Sequence, residues 1–369
     1  MKDLFDNVYG DLTVLVTGHT GFKGSWLSCW LAQLGAQVIG YSLEEPPTRP
    51  SNFEISNINQ YITDVRGDIG NLLSLQDTIE TYKPEVIFHL AAQPIVLRAF
   101  EQPKLTFDTN ASGTVNILEA IRRTDSVRAL VSITTDKVYK NQGWLWGYRE
   151  NDSLGDKDPY GASKAMAELA IESYRASFFN KQTYANHGVA IASARAGNVI
   201  GGGDFADFRL VPDCMRALMD GRPVSVRNPL SVRPWQHVLE PLSGYLLLAM
   251  MLLKDGPAYA EAWNFGPADQ DGVPAQELVE KLIALWGSGE WSHTGIRTAE
   301  KESGYLRLSW EKAANRLSWQ PVYSLDEALA EICSWFKAYQ ENEDMYSICQ
   351  QHIASYVQRA QEKKLLWAC

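Results

Sequence analysis

Thr135, Asp136 and Lys137 stand side by side where the apolar run RALVSITT ends. A hydroxyl, a carboxyl and an amine crowded together could hold a polar substrate, protonate a leaving group and balance or remove a proton. The same tripeptide also suits a solvated turn. Further on, Asp158-Pro-Tyr160-Gly-Ala-Ser-Lys164 spaces a tyrosine and a lysine four apart, so one helix face would carry both. A lysine ammonium beside a phenol favours the phenolate and lowers a pKa near 10 towards that of a working general base.

A third group sits near the start. Gly18-His-Thr-Gly21-Phe22-Lys23-Gly24 directly follows the strand-like run TVLVTG and opens a helical pattern, SWLSCWLAQLG. Glycines at these positions allow a tight turn, close backbone approach to a pyrophosphate and packing of helix on strand, and the helix N-terminus favours negative charge. The turn therefore predicts a dinucleotide site. The acidic residue that would meet the ribose is not clean: the second strand ends GYSLEE, so Glu44 or Glu45 arrives late, and NAD against NADP stays open. Asp68 is placed to meet an adenine amino group, or to cap the helix predicted over 71–82.

These groups need elements to hold them. TVLVTG, AQVIGYS, EVIFHLAA, RALVSITT and GVAIASARAGNVIG read as strands, and helical patterns lie between them. Such alternation predicts an α/β fold with a doubly wound parallel sheet of the Rossmann type. After Gly201 the chain turns to GGGDFADFRLVP, NPLSVRPW and WNFGPADQDGVP, which suggests a smaller, discontinuous substrate-facing part. We expect residues 1–198 plus about 234–262 to bind the cofactor, and 199–233 plus about 263–369 to bind the substrate. The helix around 238–254 should return to the sheet.

Composition limits the partners. With 369 residues, 45% hydrophobic and 21% charged, the chain has material for a large core. A net charge of -10 argues against nucleic acid, so an anionic ligand must be met locally. Arg195, Arg209, Arg227 and Arg233, in Gly- and Pro-broken sequence, suit a diphosphate, although each could be a surface ion pair. Cysteines 29, 214, 333, 349 and 369 show no metal spacing and read as reduced thiols. No metal is expected. The opening MKDLFDNVYGDL lacks an apolar signal core, and YLLLAMMLL is too short to span a bilayer, so a cytoplasmic protein without membrane contact is expected. His89, Trp235 and His237 read as packing residues.

GHTGFKG, VIFHLAAQP, TNASGT, TDKVY, YGASK, RAGNVIGGGD, RPWQHV and WNFG together resemble, in order and over nearly the whole length, the extended short-chain dehydrogenase/reductase family of nucleotide-sugar enzymes. The resemblance implies that Thr135 and Tyr160 contact the sugar hydroxyl being oxidised and that Lys164 also holds the nicotinamide ribose. It adds Ile69, Leu90, Ala91 and Ala92 to the cofactor contacts, and Gln93, Asn198, Arg209, Arg233 and Arg307 to the substrate contacts. Oxidation leaves Asp136 and Lys137 without a task. In the family's 4,6-dehydratases the strand end reads Thr-Asp-Glu; there the aspartic acid protonates the departing C6 hydroxyl and the glutamate takes the C5 proton. Lys137 departs from that pattern, but the Asp-Lys pair, with GYREN and RPWQHVLEPLSGYLLLA, resembles the branch acting on CDP-glucose. The resemblance thus implies a NAD-dependent hydro-lyase on a nucleotide sugar, feeding deoxysugars to cell-surface polysaccharide such as the lipopolysaccharide O-antigen. Lys137 is either a neutral base, its pKa lowered by Lys164 and the nicotinamide, or a cation stabilising an enolate. An epimerase or dehydrogenase on another nucleotide sugar is the alternative. Family members pair as dimers through two helices, here 106–123 and the Tyr160 helix, so a homodimer or homotetramer is expected.

Overall fold

A computed structural model describes residues 1–268, 272–293 and 306–368. Part of WNFGPADQDGVP, at 269–271, and Cys369 lie outside the described residues. Strand β1 (Thr13–Thr17) leads to helix α1 (Phe22–Leu34) and strand β2 (Gln37–Ser42). Strand β3 (Thr63–Arg66), helix α2 (Leu72–Tyr82), strand β4 (Val86–His89), helix α3 (Gly113–Arg122) and strand β5 (Ala129–Ile133) follow. Helix α4 (Pro159–Ser177), strand β6 (Ala190–Arg195), helix α5 (Leu239–Asp255) and strand β7 (Ala262–Asn264) complete the sheet layer.

The seven strands run parallel in the order β7-β6-β5-β4-β1-β2-β3. Order reverses between β1 and β4, where the chain crosses from one half of the sheet to the other. In such sheets the ligand crevice lies beyond the strands' carboxyl ends at that point. The central strands are buried on both faces, which is why they read as continuous apolar runs: Val14, Leu15, Val16, Val86, Ile87, Phe88, Leu130 and Val131 are all fully buried. EVIFHLAA contributes only Val86–His89 to the ladder, since the chain after His89 turns out along the crevice.

Helix α1 is apolar around its whole circumference, with Trp26, Leu27, Cys29, Trp30 and Leu31 all fully buried. That pattern requires cover on both sides. One cover is the sheet; the other is helix α7 (Met345–Glu362), which follows helix α6 (Leu325–Gln340). Trp367 then stacks on Phe5 at 5.0 Å and meets Trp30 edge-on at 6.1 Å, tying the last described residues to the first. Burying each such large side chain contributes roughly 1.5–3 kcal/mol. Helix α5 returns onto β5 and β6, as its sequence predicted; no helix among the described residues is long and apolar enough to cross a membrane.

Candidate active site

The glycine turn has the geometry its sequence predicts. Gly18 adopts φ 76°, and a Cβ there would lie 2.7 Å from the Ala91 nitrogen; one on Gly24 would lie 2.1 Å from the Gly18 oxygen. The turn thus lets α1 start hard against the ends of β1 and β4, with Gly21 as its N-cap. Leu90 and Ala91 continue along this edge, their amides bonded to the Thr17 carbonyl at 3.1 Å and hydroxyl at 3.3 Å. The Phe22 ring abuts Gly201, and Ile69 is buried behind Gly113. A small-residue cradle at a helix N-terminus, floored by Leu90, Ala91 and Ala92, fits a dinucleotide.

Three expectations at this end change. Asp68 caps no helix: Asn71 is the N-cap of α2, and the exposed Asp68 carboxylate accepts the Gly70 amide at 2.8 Å. Glu44 and Glu45 are exposed, Glu45 being paired with Arg49, while Ser42 at the end of β2 bonds the His19 ring at 3.0 Å. Gln93 is turned inward, its amide donating to Ile95 O at 3.1 Å and Thr106 Oγ1 at 2.9 Å, and accepting the Ile95 amide at 2.7 Å. With every polar atom engaged it braces the loop after β4 instead of facing the crevice.

At the end of β5, Thr135 is extended and caps a single 3-10 turn, Asp136–Val138. Its hydroxyl donates to Asp136 Oδ1 at 2.9 Å. Asp136 is 5% exposed, and its Oδ2 accepts the Asn198 side-chain amide at 3.3 Å. The Asn198 amide, expected on a diphosphate, is therefore engaged with the acid. Tyr160 and Lys164 come in on one face of α4, 8% and 4% exposed. The expected lysine effect on the phenol is not what this geometry produces. Burial pushes Tyr160 up to about 12, and the groups pulling it down are the Thr135 hydroxyl and the Arg209 charge. Lys164 Nζ instead donates to Ile133 O at 3.1 Å, and burial lowers it to about 8 against the pull of Glu168.

Lys137 is half-buried, and its charge is felt by Asp156, whose carboxyl is raised by burial and partly restored by the Lys157 amide and the Lys137 charge. Lys164 acts on Lys23 and His89. Lys23, lowered to about 7 by burial and by the charges of Lys164 and Arg209, completes a group of three cations at the crevice. Arg209 is held by Asp204 at 2.9 Å. Such convergence beside a helix N-terminus favours an anionic ligand.

A narrow cleft opens beside Asp136, lined by Gly197, Asn198, Gln236 and Gly266. A second is lined by Val232, Leu306 and Arg307. They share Pro234, Pro267 and Leu308 as walls, so together they form a trough leading from the acid to Arg307. Arg233 lies in the strand Val232–Pro234 beside that trough, its guanidinium bonded to Val232 O at 2.9 Å. Arg195 departs from the diphosphate expectation: it is on β6, 3% exposed, paired with Glu168. Arg227 bonds the Phe208 carbonyl. His89 sits neutral in the core between Thr17 and Thr114, burial lowering it to about 3, and His237 is buried against Trp26 and Tyr323. Gly197 and Asp156 had no signal in the sequence, because each acts on a residue distant along the chain, whereas Glu168 stands four residues beyond Lys164 on the same helix and only its pairing with Arg195 was hidden.

The sheet order, the glycine turn and the Tyr160/Lys164 helix define an extended short-chain dehydrogenase/reductase. The GDP-mannose 4,6 dehydratase family matches residues 15–252, and the chain belongs to that family of nucleotide-sugar enzymes. It is 47% identical over 352 residues to the CDP-glucose 4,6-dehydratase of Salmonella typhimurium, covering 95% of this chain and 98% of that one. The fold resembles a dTDP-glucose 4,6-dehydratase of Streptomyces venezuelae solved with NAD (TM-score 0.74, 22% identity, 91% and 100% of the two chains). It also resembles a UDP-glucose 4-epimerase of Thermotoga maritima solved with UDP-glucose (TM-score 0.73, 22% identity, 89% and 100%).

Proposed function

We propose that this chain is a NAD-dependent CDP-glucose 4,6-dehydratase, yielding CDP-4-keto-6-deoxyglucose and water. The observation that carries the reading is Asp136: a buried carboxyl, held between Thr135 and Asn198, faces the trough beside the catalytic phenol. A dehydrogenase or epimerase needs the phenol but no such acid. The 47% identity to the Salmonella typhimurium enzyme supports the same reading and the choice of CDP-glucose.

Gly18, Gly21, Phe22, Lys23 and Gly24, with Leu90, Ala91 and Ala92, would hold NAD, and Lys164 its ribose. The chemistry NAD supplies there is the reversible storage of one hydride, taken from C4 of the sugar and returned to C6. Tyr160 takes the proton of the 4-hydroxyl, which Thr135 orients. The resulting 4-ketone acidifies C5, whose proton leaves towards Lys137, and Asp136 protonates the C6 hydroxyl as it departs as water; when the hydride returns to C6, C5 regains a proton from the same side chain or from solvent. Lys137 serves either as the acceptor of that proton or as the cation opposite the enolate. Arg307 and Arg233, along the trough, suit the diphosphate through charge-assisted hydrogen bonds.

The division we propose assigns 1–198 plus about 234–262 to NAD and 199–233 plus about 263–369 to the nucleotide sugar, in a cytoplasmic homodimer. Val115 on α3 and Met166 and Leu169 on α4 support the dimer; they are 36%, 50% and 56% exposed on two helices that pack together. Incubation with NAD and CDP-glucose, read by mass spectrometry, should give a product lighter by one water. An unchanged mass with C4 inverted would make the chain an epimerase, and net NADH a dehydrogenase.

A further inference from the structure

Behind the catalytic strand end lies an ion pair sealed from solvent. Glu168 and Arg195 are 4% and 3% exposed, and they meet fork to fork, Nε to Oε1 at 3.0 Å and Nη2 to Oε2 at 2.8 Å. The same carboxylate accepts the hydroxyls of Thr134 and of Ser193, the latter at 2.7 Å. Arg195 Nη1 donates to the Tyr139 hydroxyl at 2.7 Å and to Glu150 O at 3.0 Å.

Each partner lies close along the chain to a residue of the site. Thr134 immediately precedes Thr135; Tyr139 immediately follows the turn bearing Asp136; β6, with Ser193 and Arg195, runs into Gly197 and Asn198. Along α4, Tyr160, Lys164 and Glu168 follow at intervals of four, a single line of phenol, amine and carboxylate. A buried ion pair is seldom a net source of stability, because desolvation offsets its attraction and apolar residues of similar volume serve the fold as well. What the pair supplies is fixed geometry and a fixed charge.

We propose that Glu168 is a positioning residue of the active site: paired with Arg195, it anchors Thr134 and Ser193 beneath the strand ends presenting Thr135, Asp136 and Asn198, and lays a negative charge one helical turn behind Lys164. For the reaction it serves, the proposal rests on the dehydratase reading above. The ionisable groups facing Lys164 are Tyr160 and Glu168 on its own helix, His89 from β4 and Lys23 from α1, and of these Glu168 is the anion. Burial and the Glu168 charge oppose one another at Lys164, so removing the charge leaves burial unopposed.

The test compares wild type, Glu168→Gln and the double variant Glu168→Gln/Arg195→Met, which removes both charges so that no buried cation is stranded. NAD affinity is followed by tryptophan fluorescence across neutral to alkaline pH, without substrate, and turnover of CDP-glucose is measured alongside. In both variants the pH at which NAD affinity falls should drop by at least about one unit. Turnover should decrease by at least about tenfold with KM for CDP-glucose little changed. An unshifted midpoint in the double variant, or its recovery of wild-type turnover, would show that Glu168 serves only to neutralise Arg195. Because NAD affinity needs no substrate, a shifted midpoint in a protein inactive on CDP-glucose upholds the role of Glu168 and sinks the dehydratase reading instead.

Discussion

A Cβ placed on Gly197 would lie 2.0 Å from Asp136 Oδ2, so the carboxylate occupies space that any other residue at 197 would fill. Gly197→Ala must push the acid away from its position between Thr135 and Asn198. A displacement of about 1 Å costs roughly a hundredfold in rate. The loss should fall on elimination and spare C4 oxidation, so single-turnover absorbance should show NADH formed and held while the dehydrated product is delayed. Product formed at the wild-type rate would contradict this.

Tyr160→Phe removes the base and should lower kcat by about 10²- to 10⁴-fold with NAD affinity unchanged. Burial holds the wild-type phenol up at about 12, so the working phenolate grows as pH rises. The kcat/KM of the wild type should therefore climb from neutral to alkaline pH. A flat profile over that range would remove Tyr160 from the rate-limiting proton transfer.

Lys137→Ala should still permit C4 oxidation while stopping exchange of the C5 hydrogen with deuterated solvent, measured by mass spectrometry of recovered sugar. Wild-type exchange in the Lys137 variant would exclude the lysine from the C5 step.

Glu240, on α5, accepts the Val322 and Tyr323 amides at 2.9 and 2.7 Å and the Tyr356 hydroxyl at 2.8 Å, joining the sheet layer to the C-terminal helices. Burial outweighs these donors and raises the carboxyl to about 7. An acid whose folded pKa is raised binds its proton more tightly in the native state. Its stabilising effect is complete below the unfolded pKa of about 4.3 and is lost as pH rises through about 7, a difference on the order of 3 kcal/mol. In urea unfolding, the stability of the wild type relative to Glu240→Gln should be greater near the acid end of that window than above it. An equal slope in the variant would assign the effect to another group.

Met166→Glu combined with Leu169→Glu places two charges on the exposed face of α4 and should shift the mass in sedimentation from dimer to monomer. Loss of apolar contact from both copies, plus like-charge repulsion, weakens such a helix pair. An unchanged dimer mass would move the interface elsewhere.

Much of the fold could be read along the chain, because it depends on local periodicity. β1, α1 and β2 follow from TVLVTG, the glycine turn and AQVIGYS, and the position of Tyr160 above Lys164 follows from a spacing of four on one helix. The wider texture of α1, apolar on all sides, already required a second covering layer, but which segment supplied it was invisible until α7 was seen packed there.

The site divides in the same way. Short spacings put Thr135, Asp136 and Lys137 together at a strand end and Tyr160 and Lys164 on one helix face, and the family resemblance implied that the two groups meet at the carboxyl end of the sheet. Which charge meets which group is a matter of distances between segments far apart in sequence, and only the tertiary structure decided it. It set Lys164 on the Ile133 carbonyl, Arg209 near the phenol, Gln93 into its own loop and Arg195 onto Glu168. Electrostatic effects change steeply over a few ångströms and with burial. Sequence spacing fixes such distances within a helix, not between β5, β6 and the loops that follow them.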